Sequence, residues 1–90
     1  MPTFHLPSVL SAHIGGTRAV ETDGVTVAQA IDRLVDRFPQ LAPRLRDEHG
    51  DPYPFVTFYL NDEDVRLVGG FGVPVAEGDE VTIVPAVAGG

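Results

Sequence analysis

Three histidines, a run of three acidic residues, two serines near a histidine and a closing glycine pair are the groups in this 90-residue sequence whose types could carry chemistry. His5, His13 and His49 fall on a strand, a turn and a loop with no ligand spacing among them, so no metal centre is expected. Asp62, Glu63 and Asp64 in NDEDVR lack the central glycine and the final glutamate of a calcium loop and are read as a solvated turn. Ser8 and Ser11 lie near His13, but nothing in the chain supplies the oriented base and oxyanion site that a nucleophile needs. GGFG at 69–72 has neither phosphate-loop pattern and opens no helix, so tight turns are expected.

Gly89 and Gly90 remain. They follow Ala86, Val87 and Ala88, all small and uncharged, and fully extended these five residues reach about 16 Å past Pro85. A thin segment of this kind can thread a narrow channel and carry a terminal carboxylate into another protein's active site. Glycine at the last two places lets channel walls close on the backbone with no Cβ in the way. The chemistry would then fall on Gly90 itself, with Gly89, Ala88, Val87 and Ala86 lying in the channel. A mobile tail over 86–90 is expected on a compact domain spanning 1–85.

The bulk composition fits that division. With 43% hydrophobic and 21% charged residues, the chain has the make-up of a single globular domain. It contains no cysteine, which excludes disulfides, thiolate metal sites and a cysteine nucleophile. Any sulfur chemistry would use sulfur that is not a side chain. The net charge is −7 and all six cationic residues are arginines, without a single lysine. Such a chain repels phosphate backbones, so nucleic acid is not an expected partner and a basic protein is. No apolar stretch approaches the length of a membrane span and the N-terminus lacks the pattern of a signal peptide, so a cytoplasmic location is expected.

The elements that must position the tail can be read along the chain. TFHLPSVL predicts a first strand over residues 3–9, SAHIGG a turn, and TRAVET a second strand completing a hairpin. Thr26 with Gln29 forms a capping box, and Val27, Ala30, Ile31, Leu34, Val35 and Phe38 recur at helical spacing until Pro39 stops the helix. Leu41 and Leu45 lie one helical turn apart. FVTFYLND alternates as a strand with Val56, Phe58 and Leu60 inward and Thr57 and Tyr59 outward. A short strand is expected around Val65, and EVTIVPA reads as the last strand with Val81 and Ile83 inward. The order strand, strand, helix, strand, short strand, strand predicts an α+β β-grasp fold, a mixed sheet of four to five strands with one main helix across it. The uncovered face of that sheet, with Tyr59, Thr82 and Val84, is the expected partner surface.

The stretch from YLNDEDVR through GDEVTIVPAVAGG, with the capped helix upstream, resembles the ubiquitin-like sulfur carriers grouped with the small subunit of molybdopterin synthase and the thiamine sulfur carrier ThiS. NDEDVR and VPAVAGG are most similar to the bacterial branch of this family that serves cysteine biosynthesis. The resemblance implies that an E1-like enzyme uses ATP and Mg to adenylate the Gly90 carboxylate, and that sulfur transfer then makes a thiocarboxylate. It implies a pyridoxal phosphate-dependent cysteine synthase as sulfur acceptor and a metalloprotease that releases cysteine, with no cofactor on this chain. The molybdopterin route, with the synthase large subunit as partner, is the alternative within the family. A ubiquitin-like conjugator joined through Gly90 to target lysines, and a binding module with an inert terminus, are the alternatives outside it.

Overall fold

The computed structural model describes residues 1–85. Its elements are β1 (Thr3–His5), α1 (Ser8–Ser11), β2 (Ala19–Glu21), α2 (Val27–Arg37), α3 (Ala42–Leu45), β3 (Val56–Leu60), β4 (Glu63–Asp64) and β5 (Glu80–Pro85), with 3-10 turns at Ala12–Ile14, Pro39–Leu41 and Val65–Leu67. The five strands form one sheet in the order β2-β1-β5-β3-β4. β5 runs parallel to β1 and antiparallel to β3, so the last strand sits in the middle. This is the β-grasp arrangement the element order predicted. No helix among the described residues is long and apolar enough to cross a membrane.

α2 forms where the apolar spacing and its cap agree. Thr26 Oγ1 accepts from Gln29 N at 3.2 Å, and Gln29 Oε1 accepts in return from Val25 N at 3.0 Å, one residue earlier than in the usual reciprocal box. Gly24 precedes the cap at φ +140°, where a Cβ would stand 2.9 Å from Ala30 N, so only glycine lets the chain enter this close to the helix. Val27, Ala30, Ile31, Leu34 and Val35 are buried against the inner face of the sheet, where they meet Phe4, Val20, Val56, Phe58, Val81 and Ile83. Each large side chain buried there contributes about 1.5 to 3 kcal/mol. Three cations tie the outer flank of the helix down: Arg37 donates to Glu21 O at 2.7 Å, Arg46 pairs with Asp32 at 2.5 Å, and Arg33 lies 3.6 Å from Asp23.

The first strand is shorter than its sequence predicts. Leu6 N still donates to Arg18 O, but Pro7 has no N–H to continue the ladder, and Leu10 N and Ser11 N turn back onto Pro7 O to make α1. Val9 therefore points outward while Leu10 is buried. The short strand expected around Val65 is Glu63–Asp64, and Val65 begins a 3-10 turn with its side chain in the core. Asn61 and Asp62 are not part of β3. Both have positive φ, 49° and 74°, and they make the two-residue turn that joins β3 to β4.

Candidate functional site

Because β5 lies between β1 and β3, its alternation sets the two faces of the whole sheet. Val81 and Ile83 are fully buried, so Thr82 and Val84 face away from α2. The register places Thr82 between His5 and Tyr59, and Tyr59 opposite Asp64. Thr57 pairs with Val84. Tyr59, Thr82 and Val84 therefore share one face, on the side opposite the helix, as the alternation predicted. His5 Nε2 and Glu80 Oε1 are 2.9 Å apart on the same face. Arg66, which the sequence did not single out, binds the edge of this face: its guanidinium donates to Pro54 O at 3.0 Å and Thr57 Oγ1 at 3.1 Å, and its Nε lies 3.5 Å from Asp64.

Along β5 the face changes character. At the Glu80 end the polar groups satisfy one another. Glu80 N donates to Asn61 Oδ1 at 2.9 Å while Asn61 N donates to Glu80 O at 2.8 Å. Asp79 accepts from Ala76 N at 2.7 Å and from Asn61 Nδ2 at 3.0 Å. The backbone N–H of Ala76, and then the Asn61 amide, hold the Asp79 carboxyl below its ordinary value of 3.8. The terminal amino group pairs with Glu77 beside this turn.

At the Pro85 end apolar groups are left in the open. Val84 is 46% exposed, Phe55 53% and Val9 54%. Phe55 stacks on Tyr53 with ring centroids 4.8 Å apart and planes at 14°. Beside them runs a groove of about 380 Å³ lined by Val9, Leu10, Pro43, Arg44, Tyr53, Phe55 and Pro85. Four separate segments build it, which is why no local pattern in the sequence marks it. Phe55 could have been found: it shares the parity of Thr57 and Tyr59, and so continues the outward face toward the tail. Large apolar side chains gathered at one end of a small domain mark a surface that another surface covers.

The residues on which the chemistry was expected, Gly90 with Gly89, Ala88, Val87 and Ala86, lie outside the described residues. The structure sets their starting point, Pro85 at the rim of the groove. Among the described residues no group of three or more His, Asp or Glu side chains is placed to hold a metal ion. His13 and His49 are exposed and apart from the face. Ser11 Oγ donates to Ser8 O at 3.4 Å within α1, so this pair closes a helical turn. Gly69 and Gly70 sit in tight turns at positive φ, as GGFG suggested.

Comparison with known proteins places this arrangement. Residues 9–90 match the model of the ThiS family. The chain is 42% identical over 90 residues to the sulfur carrier protein CysO of Mycobacterium tuberculosis, covering 98% of this chain and 97% of that protein. It is 34% identical over 82 residues to small archaeal modifier protein 1 of Haloferax volcanii, covering 88% of this chain and 90% of the relative. Among solved structures, a chain in the Amycolatopsis orientalis BexX/CysO complex superposes with a TM-score of 0.88 at 42% identity, and the match covers 100% of both chains.

Proposed function

The chain belongs to the ThiS family, and from that membership we propose that it is a sulfur carrier whose Gly90 carboxylate is the working group, used most directly in cysteine biosynthesis. The observation that carries this reading is the near full-length similarity, at 42% identity, to the carrier CysO. A free carboxylate is a poor electrophile. An E1-like partner would use ATP and Mg to join it to AMP, and a sulfur nucleophile would then attack the carbonyl carbon and expel AMP, leaving a C-terminal thiocarboxylate. That group is ionised near neutral pH, and anionic sulfur is the reactive form, as it is for a thiolate.

This chain's own part is presentation rather than catalysis. β5, hydrogen-bonded on both sides, fixes where the last five residues start. Tyr59, Thr82 and Val84 offer a face on which a partner can dock while Gly90 enters its active site. A pyridoxal phosphate-dependent cysteine synthase is the acceptor this reading selects, followed by a metalloprotease that frees the product. The large subunit of molybdopterin synthase is the acceptor if the sulfur goes to a pterin precursor instead. The resemblance to a small archaeal modifier favours one further reading, a conjugator joined through Gly90 to amines of other proteins.

Intact mass separates these readings. Incubated with the cognate E1-like enzyme, ATP and a sulfur donor, the parent chain should gain about 16 Da as oxygen is replaced by sulfur, whereas conjugation gives a ladder of adducts and an inert terminus gives no change. Removing Gly90 displaces the carboxylate by about 3.3 Å, outside the tolerance of in-line attack on a phosphate. That deletion should abolish conversion with the fold unchanged. Gly89→Val should fail as well, by placing a branched side chain where the channel closes. Full conversion of the Gly90 deletion would refute the carrier reading.

A further inference from the structure

We infer that Arg66 is a positioning residue for docking: its guanidinium fixes the turn Tyr53–Val56 so that Phe55 stands exposed beside Pro85, where the enzyme that takes up Gly90 settles. The inference deepens the carrier reading and rests on it for the docking step alone.

The turn needs holding. Val56 N donates to Tyr53 O at 3.1 Å across it, and Pro54 takes its second place, where a fixed φ suits a turn. Phe55 follows, 53% exposed, with its ring stacked on Tyr53 at 4.8 Å. Burial does not hold a side chain that stands half in water. The fork of Arg66 does: Nη1 donates to Pro54 O at 3.0 Å, and Nη2 donates to Thr57 Oγ1 at 3.1 Å and lies 3.4 Å from Val56 O. These acceptors lie on both sides of Phe55 in the chain, so the backbone that carries the ring is clamped before and after it. A lysine, which concentrates its charge at one point, does not span them.

The clamp is itself set from the core. Val65 is fully buried, and Asp64, opposite Tyr59 on β4, accepts from Arg66 N at 2.9 Å and lies 3.5 Å from its Nε. The buried valine and the carboxylate together aim the guanidinium along β3 toward the turn. NDEDVR thus does more than reverse the chain: its short strand pairs with β3, and its arginine holds the segment that enters β3. Arg33, Arg37 and Arg46, by contrast, tie down the flank of α2. Val56 pairs with Pro85, and Gly90 is five residues further along the chain, within about 16 Å. An enzyme that takes up Gly90 therefore comes to rest within reach of Phe55, and a ring already held in one pose loses little freedom when it is covered.

NMR and steady-state kinetics of the full chain test this together. In the free parent the Tyr53 and Phe55 rings should show mutual NOEs. Arg66→Gln, and Arg66→Lys, which keeps the charge without the fork, should each lose them while amides in β1 and α2 stay in place. With the cognate E1-like enzyme, ATP and a sulfur donor, the KM for the chain should rise about tenfold in Arg66→Gln and in Phe55→Ser, with kcat held. The double variant should be no worse than Phe55→Ser, because both substitutions remove the same anchor. Ring NOEs that survive both Arg66 substitutions overturn the inference, as does a KM indifferent to either Arg66→Gln or Phe55→Ser, or a pair of losses that multiply in the double variant. Conversion of the parent with such an indifferent KM leaves the carrier reading standing. A parent that never gains sulfur refutes the carrier reading instead, and the ring NOEs, which need no partner, then decide whether Arg66 sets Phe55.

Discussion

The two ends of β5 solve opposite problems. At the Glu80 end, Asn61, Asp79 and Ala76 exchange hydrogen bonds with one another and with the strand, and Thr3 N donates to Asp79 O at 2.9 Å. The side chains of Asn61 and Asp79 find their partners inside the chain, and the turn is closed. At the Pro85 end, Val9, Phe55 and Val84 remain half in water and Arg44 has no partner among the described residues. A domain of this size has few side chains to spare for its core. Leaving large apolar groups outside it is a cost in solubility that an interface offsets. On the proposed carrier reading one end serves the fold and the other serves docking, and substitutions at the two should have opposite signatures.

The largest effect on folding is expected at the closed end. Asp79→Ala removes the acceptor of the Ala76 N–H and of the Asn61 amide, and leaves two donors to water in a turn that holds β1, β3 and β5 together. Both bonds go to a charged acceptor and both are open to solvent, so together they contribute about 1 kcal/mol. Urea unfolding of the variant should show a loss of that order, with docking at the far end of the strand unaltered. A variant as stable as the parent would dissolve the contrast between the ends.

The same carboxylate gives the comparison a pH signature. Its folded pKa is depressed, so the unfolded state binds a proton more readily. The stability it contributes is fully present above the ordinary value of 3.8 and is lost as pH falls through the lower folded value. Melting temperature should therefore fall more steeply for the parent than for Asp79→Asn as pH is lowered from neutral through that window. Parallel curves would show that the turn does not sense the charge.

How much of this was legible in the sequence depends on the distance over which each feature is built. The capped helix and the parity of β3 and β5 follow from spacings within a dozen residues, and both faces of the sheet are where those spacings put them. Hairpin chemistry was only half read. Pro7 ends the ladder of β1 and turns Ser8–Ser11 into a helix, although apolar residues continue past it. Asn61 and Asp62 are the positive-φ pair that a two-residue turn favours, and NDEDVR was legible as a turn at Asp62, but FVTFYLND carries its strand pattern into that pair, and Glu63 and Asp64, read with the turn, form β4. The groove was not legible at all. Val9, Pro43, Arg44 and Tyr53 come from three segments whose meeting is a property of the topology alone.

Smaller effects on stability, and larger ones on binding, are expected on the open face. Tyr59 is half-buried between Thr82 and Asp64. Tyr59→Ala gives up cross-strand contact worth about 0.2 to 1 kcal/mol. Calorimetry should register that modest loss, while affinity for the partner that receives Gly90 falls by about tenfold or more if Tyr59 is an anchor. If the variant is instead unfolded, Tyr59 belongs to the core and the register of β3 is off by one residue, because such a slip exchanges the two faces.

Val84→Ser should have the smallest effect on the fold. Val84 lies on the outward face of the central strand, 46% exposed, opposite Thr57 and next to the groove rim at Pro85. Serine keeps the backbone pairing of β5 with β3 at this position and removes only a branched side chain that meets water, so unfolding free energy should move by no more than about 0.5 kcal/mol. On the carrier reading, the apolar area lost nonetheless lies on the face proposed for docking. Binding measured by titration should weaken, and the weakening should be absent in Asp79→Ala, whose lesion lies at the far end of the same strand. If Val84→Ser and Asp79→Ala weaken binding equally, the partner reads the stability of the whole sheet rather than its open end, and the division of β5 into a structural and a functional end fails.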